Sequence, residues 1–181
     1  MFYHDSSETN VRRWIEMIKE FEGIKPSIDD TAFVAESADI IGSVTIEKNA
    51  NIWYNAVLRG DSNKIVVGEN SNVQDGTIVH CGEKNPTIIG KNVTIGHASI
   101  IHGCEIGDYS LIGMGSIVLD NAKLGEFTMV GAGSLVTSKE FPSGVLLLGS
   151  PAKVVRELTD EEKESLKKSA KHYIEISKKH K

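Results

Sequence analysis

Residues 89–113 read IGKNVTIGHASIIHGCEIGDYSLIG, and the spacing inside this stretch decides the fold. Ile89, Ile95 and Ile101 are six apart, and Ile106 and Ile112 resume the interval after a one-residue slip. Working outward, the same interval links Val34, Ile40, Ile46, Ile52 and Leu58, then Val67, Val73 and Val79, and finally Val118, Leu124, Val130 and Val136. Two residues before the aliphatic stands a small side chain, as at Ala32, Ala38, Ala50, Ala56, Ser71, Thr77, Ser99, Cys104, Ser116, Ala122 and Ser134; Ile65 is the large exception. A period of six fits neither an amphipathic helix nor a half-buried strand. It marks a hexapeptide parallel β-helix. Three hexapeptides make one triangular coil, with the aliphatic pointing inward, the small residue filling a tight corner, and coils stacked about 4.8 Å apart. Glycines such as Gly96 and Gly113 follow the inward aliphatic, where a sharp turn is expected.

The expected class is therefore mainly β, with residues 25–156 forming the β-helix. Residues 1–24 form an N-terminal helical extension: Val11, Trp14, Ile15 and Ile18 follow helical spacing, and Gly23 and Pro26 end the segment. Residues 157–181 form a C-terminal helix packed outside the coil. Thr159-Asp160-Glu161-Glu162 opens it as a capping box. Leu166, Ala170, Tyr173 and Ile174 share one face, and lysines 178, 179 and 181 follow at the negative end of its dipole.

Composition excludes several functions. A net charge of −5 with no basic stripe speaks against nucleic acid. No apolar run reaches the roughly 18 residues a membrane span needs. The opening MFYHDSSETNVRRW lacks the apolar core of a signal peptide. Two cysteines, Cys81 and Cys104, make no disulfide framework, so the expectation is a cytoplasmic protein with reduced thiols. Cys104 occupies a small inward slot. Cys81 follows His80 and is either core or a further metal ligand.

The chemistry rests on His80, His97 and His102. Arg59, Gln74, His80 and His102 each come one residue after an inward aliphatic and should face outward; His97 comes two after Ile95 and should also project. Outward histidines on a flat solenoid side do not converge easily within one chain. Three prisms about a threefold axis bring them together at the seams, which predicts a homotrimer. Three imidazoles plus an open position form a catalytic zinc arrangement. The competing reading is a set of interface histidines that hydrogen-bond the next chain.

The surrounding motifs are Arg59-Gly60-Asp61, Asn72-Val73-Gln74-Asp75-Gly76 and Gly96-His97 with His102-Gly103-Cys104. With these in order, the chain resembles the γ-class carbonic anhydrases and their hexapeptide-repeat relatives, from about Lys25 to the C-terminal helix. The resemblance implies a left-handed β-helix and a homotrimer with zinc, or ferrous iron in some members, between subunits. It implies that His80 and His102 come from one chain and His97 from its neighbour. Repeat counting leaves that partition open, because His80 and His97 lie about one coil apart and could stack within a single chain. Arg59, Asp61 and Asp75 match the family's interfacial charge network, and Asn72 and Gln74 its pocket amides. The implied reaction is attack of hydroxide on carbon dioxide, release of bicarbonate and transfer of a proton to solvent.

The chain departs from the family's prototype at the proton route. Ser62 stands where the prototype has a glutamate, and a long acidic loop is reduced to residues 81–86. Glu83, three residues after His80, is a candidate relay or an exposed loop acid; Tyr173 is a candidate pocket lining. Two further readings belong to other classes. Gly149-Ser150-Pro151-Ala152-Lys153, with Val154, Val155 and Arg156, resembles the segment near coenzyme A in hexapeptide acyltransferases, and also ends members that are not acyltransferases. Acyl transfer needs a general base and a pantetheine groove rather than three ligand-spaced imidazoles. The other reading is a structural or assembly subunit that retains a metal site; fold alone does not choose among them.

Overall fold

The computed structural model describes residues 17–180. The period-six aliphatics line its interior: Ile40, Ile46, Ile52, Leu58, Ile89, Ile95, Ile101, Ile112 and Val130 are all buried, with the small residues Ala38, Ala56, Ser71, Thr77 and Ser116 packed beside them. Val34, at the open first coil, is only half-buried. The strands stack in parallel as a left-handed β-helix. One face is an eight-stranded sheet. The other two faces belong to a twelve-stranded sheet, because the long strands Asp39–Ile46 and Val57–Val67 run around the corner between them.

The glycines after the inward aliphatics do a different job from the one expected. Gly96 and Gly113 do not adopt positive φ. A Cβ at Gly96 would lie 2.7 Å from the Met114 backbone nitrogen in the next coil, so the residue is small to let coils approach. The left-handed turn falls two residues later, at Asn92, Ala98, Tyr109 and Phe127. Asparagine suits this conformation because its short polar side chain bonds locally. Asn49, Asn70 and Asn92 stack at one corner, with amide contacts of 3.2 and 3.3 Å between successive coils.

The expected N-terminal helix lies mostly outside the described residues. At its last predicted position the chain is extended instead: Ile18–Lys19 forms a short strand paired with Ile40 and Ile41. The unpaired edge of strand Asp39–Ile46 offers backbone partners there. At the other end, Val145–Gly149 makes the last rung and Ala152–Glu157 returns antiparallel to it. The Gly149–Arg156 segment thus leads the chain off the coil.

The C-terminal helix spans Asp160–Ser177 with the expected capping box. Its buried face holds Leu166, Ala170 and Ser177, while Tyr173 and Ile174 are half-buried. Among the described residues no helix is long and apolar enough to cross a membrane. The helix start is clamped by charge. Glu162 accepts the Thr159 N–H at 2.9 Å and two bonds from the Arg156 guanidinium at 2.7 and 2.8 Å. Arg156, then the Thr159 amide, hold the Glu162 carboxyl down to about 2. A depressed folded-state pKa means the clamp is complete above the ordinary carboxylate range of about 4.3 and fails as pH falls through about 2. A carboxyl-carbon NMR titration should place Glu162 near 2 in the native protein and near its ordinary value in Arg156→Met. A native midpoint already in the ordinary range contradicts the clamp.

Candidate metal centre

The parallel ladder places His80 and His102 directly above one another. Strands Ile78–His80 and Ile100–His102 pair Ile78 with Ile100, Val79 with Ile101 and His80 with His102. Alternation points Val79 and Ile101 inward, so both imidazoles stand outward beside the exposed Ile78 and Ile100. The same alternation turns Cys81 inward. Its thiol donates to the Asn63 carbonyl at 3.1 Å inside the core, so it does not join His80 as a ligand. Burial pushes the Cys81 thiol up and pushes Cys104 up to about 12.

Each ring is held by a carboxylate. His80 Nε2 lies 2.8 Å from Asp61 Oδ1, and His102 Nδ1 lies 3.0 Å from Asp120 Oδ1. An ionised carboxylate only accepts, so both rings must donate from these nitrogens. In neutral imidazoles the remaining nitrogens, His80 Nδ1 and His102 Nε2, then carry lone pairs, and they face each other at 3.0 Å. Two acceptors this close repel unless a proton or a cation lies between them. Zinc binds histidine nitrogen at about 2.0–2.1 Å, which puts two tetrahedral ligands about 3.4 Å apart. The donor pair is within a few tenths of an ångström of that geometry, so the residues fit a metal.

Asp61 also pairs with the Arg59 guanidinium. Burial alone would raise the Asp61 carboxyl, but the bond from His80 and the Arg59 charge outweigh it and hold the group down to about 2. Arg59, Asp61, His80 and His102 therefore form one cluster. Glu83 lies outside it on the exposed loop, where only its carbonyl is held, by Asn63 Nδ2 at 2.9 Å.

His97 belongs to a second cluster. It stands on the corner after Thr94–Ile95, and its Nδ1 lies 2.8 Å from Asp75 Oδ2, with Nε2 unpaired among the described residues. Asp75 thus serves His97; the charge pair with Arg59 is made by Asp61. Repeat counting leaves open that His80 and His97 stack within one chain; the register stacks His80 on His102 instead. Gln74 leaves the coil outward as expected, yet it is buried because the C-terminal helix covers it. Gln74 Nε2 donates to Asn72 Oδ1 at 3.0 Å, Asn72 Nδ2 donates to Thr94 Oγ1 at 3.0 Å, and Tyr173 bonds Gln74. Burial and the negative charge of Asp75 raise the Tyr173 phenol, with Gln74 offsetting part of the rise, so it remains an O–H donor at neutral pH. A cavity of about 420 Å³ opens here, bounded by Gln74, His97, Met114, Met129 and Tyr173.

The structure thus divides the predicted residues into two separate clusters. One holds Arg59, Asp61, His80 and His102; the other holds Asn72, Gln74, Asp75, His97 and Tyr173. Among the described residues no three histidine, cysteine, aspartate or glutamate side chains of one chain form a metal-holding group. Asp120 is the residue that sequence reading missed. It lies 18 residues after His102, one plain coil further on, and that offset is the signal that identifies it.

The family described as bacterial transferase hexapeptide (six repeats) matches residues 86–119 and 103–138. A probable carbonic anhydrase of Methanocaldococcus jannaschii is 50% identical over 145 residues, covering 80% of this chain and 91% of that protein. The mitochondrial gamma carbonic anhydrase 2 of Arabidopsis thaliana is 47% identical over 162 residues, covering 86% of this chain; the chain spans only 58% of that plant relative's length. A crystal structure of a hexapeptide transferase family protein from Anaplasma phagocytophilum matches with a TM-score of 0.88 and 51% identity, over 91% of this chain and 98% of that one.

Proposed function

The chain belongs to the γ-carbonic anhydrase-like hexapeptide-repeat proteins, and on that premise we propose that it is a trimeric metalloenzyme that hydrates carbon dioxide to bicarbonate. The two half-sites are complementary, and each lacks what the other carries. In a threefold assembly the outward His80 and His102 of one protomer meet His97 of its neighbour at every seam. Exposed Ile78 and Ile100 flank the ligand pair and supply apolar surface for that seam. The observation that carries the reading is that His80 Nδ1 and His102 Nε2 face each other at 3.0 Å, while the other nitrogen of each ring lies 2.8 and 3.0 Å from a carboxylate oxygen.

Zn²⁺, or Fe²⁺ in its place, would be held by the three imidazoles and would lower the pKa of water from 15.7 to about 7, the value for zinc in carbonic anhydrase, supplying hydroxide at neutral pH. The protein's own groups do the rest. Asp61 and Asp75 keep His80 and His97 in the tautomers that direct a lone pair outward. Gln74, anchored by Asn72 and Tyr173, offers a fixed amide to a substrate oxygen. Met114 and Met129 line an apolar approach suited to a nonpolar gas. With Glu83 held away on its loop by its backbone, buffer takes up the released proton in our reading.

Metal analysis, solution mass and a carbon dioxide hydration assay test this on the native protein and on His102→Ala. The native protein should have a trimer mass, bind about one metal per chain and hydrate carbon dioxide; the variant should lose metal and activity together. A protomer mass, or metal uptake without hydration, would sink the enzyme reading. Metal without hydration leaves a scaffold with a retained site. Coenzyme A binding that survives the substitution points to the acyltransferase reading.

A further inference from the structure

We infer that Asp120 is a positioning residue for His102, fixing the ring's tautomer and direction so that Nε2 faces His80; this rests on the metal-centre reading above. Asp120 Oδ1 takes the Nδ1–H of His102 at 3.0 Å. The carboxylate sits in a slot that the chain has cleared for it. A Cβ on Gly103 would collide with Asp120 Oδ1, and one on Gly82 would lie 3.2 Å from the same atom. The two glycines come from successive coils, and each follows one of the paired histidines closely in sequence. Gly103 also has φ +57, a conformation that penalises side chains, and its carbonyl accepts the Asn121 N–H at 2.8 Å.

The loop of residues 81–86 closes the other side. Asn85 Nδ2 approaches Asp120 Oδ1 at 3.5 Å, and Asn85 and Gly82 bond each other's backbone at 3.0 and 3.1 Å. The loop therefore also places an amide beside Asp120. Asp61 on His80 and Asp75 on His97 make the equivalent contacts, so Asp120 completes a set of one carboxylate per imidazole. Hydrogen bonding at one ring nitrogen determines which nitrogen is left to ligate.

The test uses the full chain, labelled with ¹⁵N. In the metal-free native protein, ¹⁵N–¹H histidine spectra should show His102 protonated at Nδ1. Asp120→Ala should lose that preference, whereas Asp120→Asn should keep much of it because its amide oxygen still accepts. Zinc affinity, read by competition with a chelator, should fall about 10- to 100-fold in Asp120→Ala and less in Asp120→Asn. Circular dichroism and solution mass should match the native protein in both variants. An unchanged His102 tautomer in Asp120→Ala overturns the role of Asp120, whatever the metal does. A native protein with His102 protonated at Nδ1 that takes up no zinc supports the positioning role and counts against the metal centre.

Discussion

Co-expressed His97→Ala and His102→Ala subunits should recover about a quarter of native zinc content and hydration activity, although each variant alone has almost none. The reason is that the proposed trimer divides the ligands between protomers. A seam needs an intact His102 from one protomer and an intact His97 from the next. In random mixtures of equal amounts each condition holds half the time, so about one seam in four is whole. If all three ligands came from one chain, no mixture could restore a site. A mixture as inactive as its parents, at trimer mass, would therefore reject the shared seam, and so would full zinc occupancy in His97→Ala alone. The measurement separates the geometry of assembly from the question of metal identity, because either Zn²⁺ or Fe²⁺ must obey the same counting.

Ile95→Ala should destabilise the folded chain by about 2–5 kcal/mol, the range for truncating a fully buried large aliphatic. Ile95 is completely buried, and its strand pairs with those of Val73 on one side and Ile112 on the other. In a solenoid each coil is supported mainly by its neighbours, so the cavity weakens two interfaces together. The shift in urea midpoint, compared at one protomer concentration because assembly contributes to stability, measures the loss. Lys168→Ala, on the exposed side of the C-terminal helix, should stay within about 0.5 kcal/mol. A loss below about 1 kcal/mol at Ile95 would show that the core tolerates collapse at this rung.

Much of this was legible from the sequence because a strict period leaves little freedom. Once Ile95 and Ile101 are inward, the ladder determines the outward position of His102. The pairing of His80 with His102 was harder to read because 22 residues separate them while ordinary coils take 17 or 18; the excess is the loop of residues 81–86. That loop hides a one-coil relation behind an irregular count. Gln74 shows another limit. Its outward direction follows from Val73, but its burial depends on a helix that begins 86 residues later and docks by tertiary contact. Spacing alone places the glycines after the inward aliphatics at turns, whereas their role is close approach between coils, a difference that depends on φ and on the neighbouring backbone. Tyr173 could be placed on a helix face from its spacing, yet only the docked helix brings it to Gln74.

The backbone ladder between Ile78–His80 and Ile100–His102 has an evolutionary consequence. It is hydrogen bonding across adjacent rungs, rather than the length of chain joining them, that sets the gap between the two imidazoles. The detour at residues 81–86 can therefore grow or shrink across lineages without moving either donor. An arm of another length or shape could be carried at that point while the spacing of the two imidazoles stays the same.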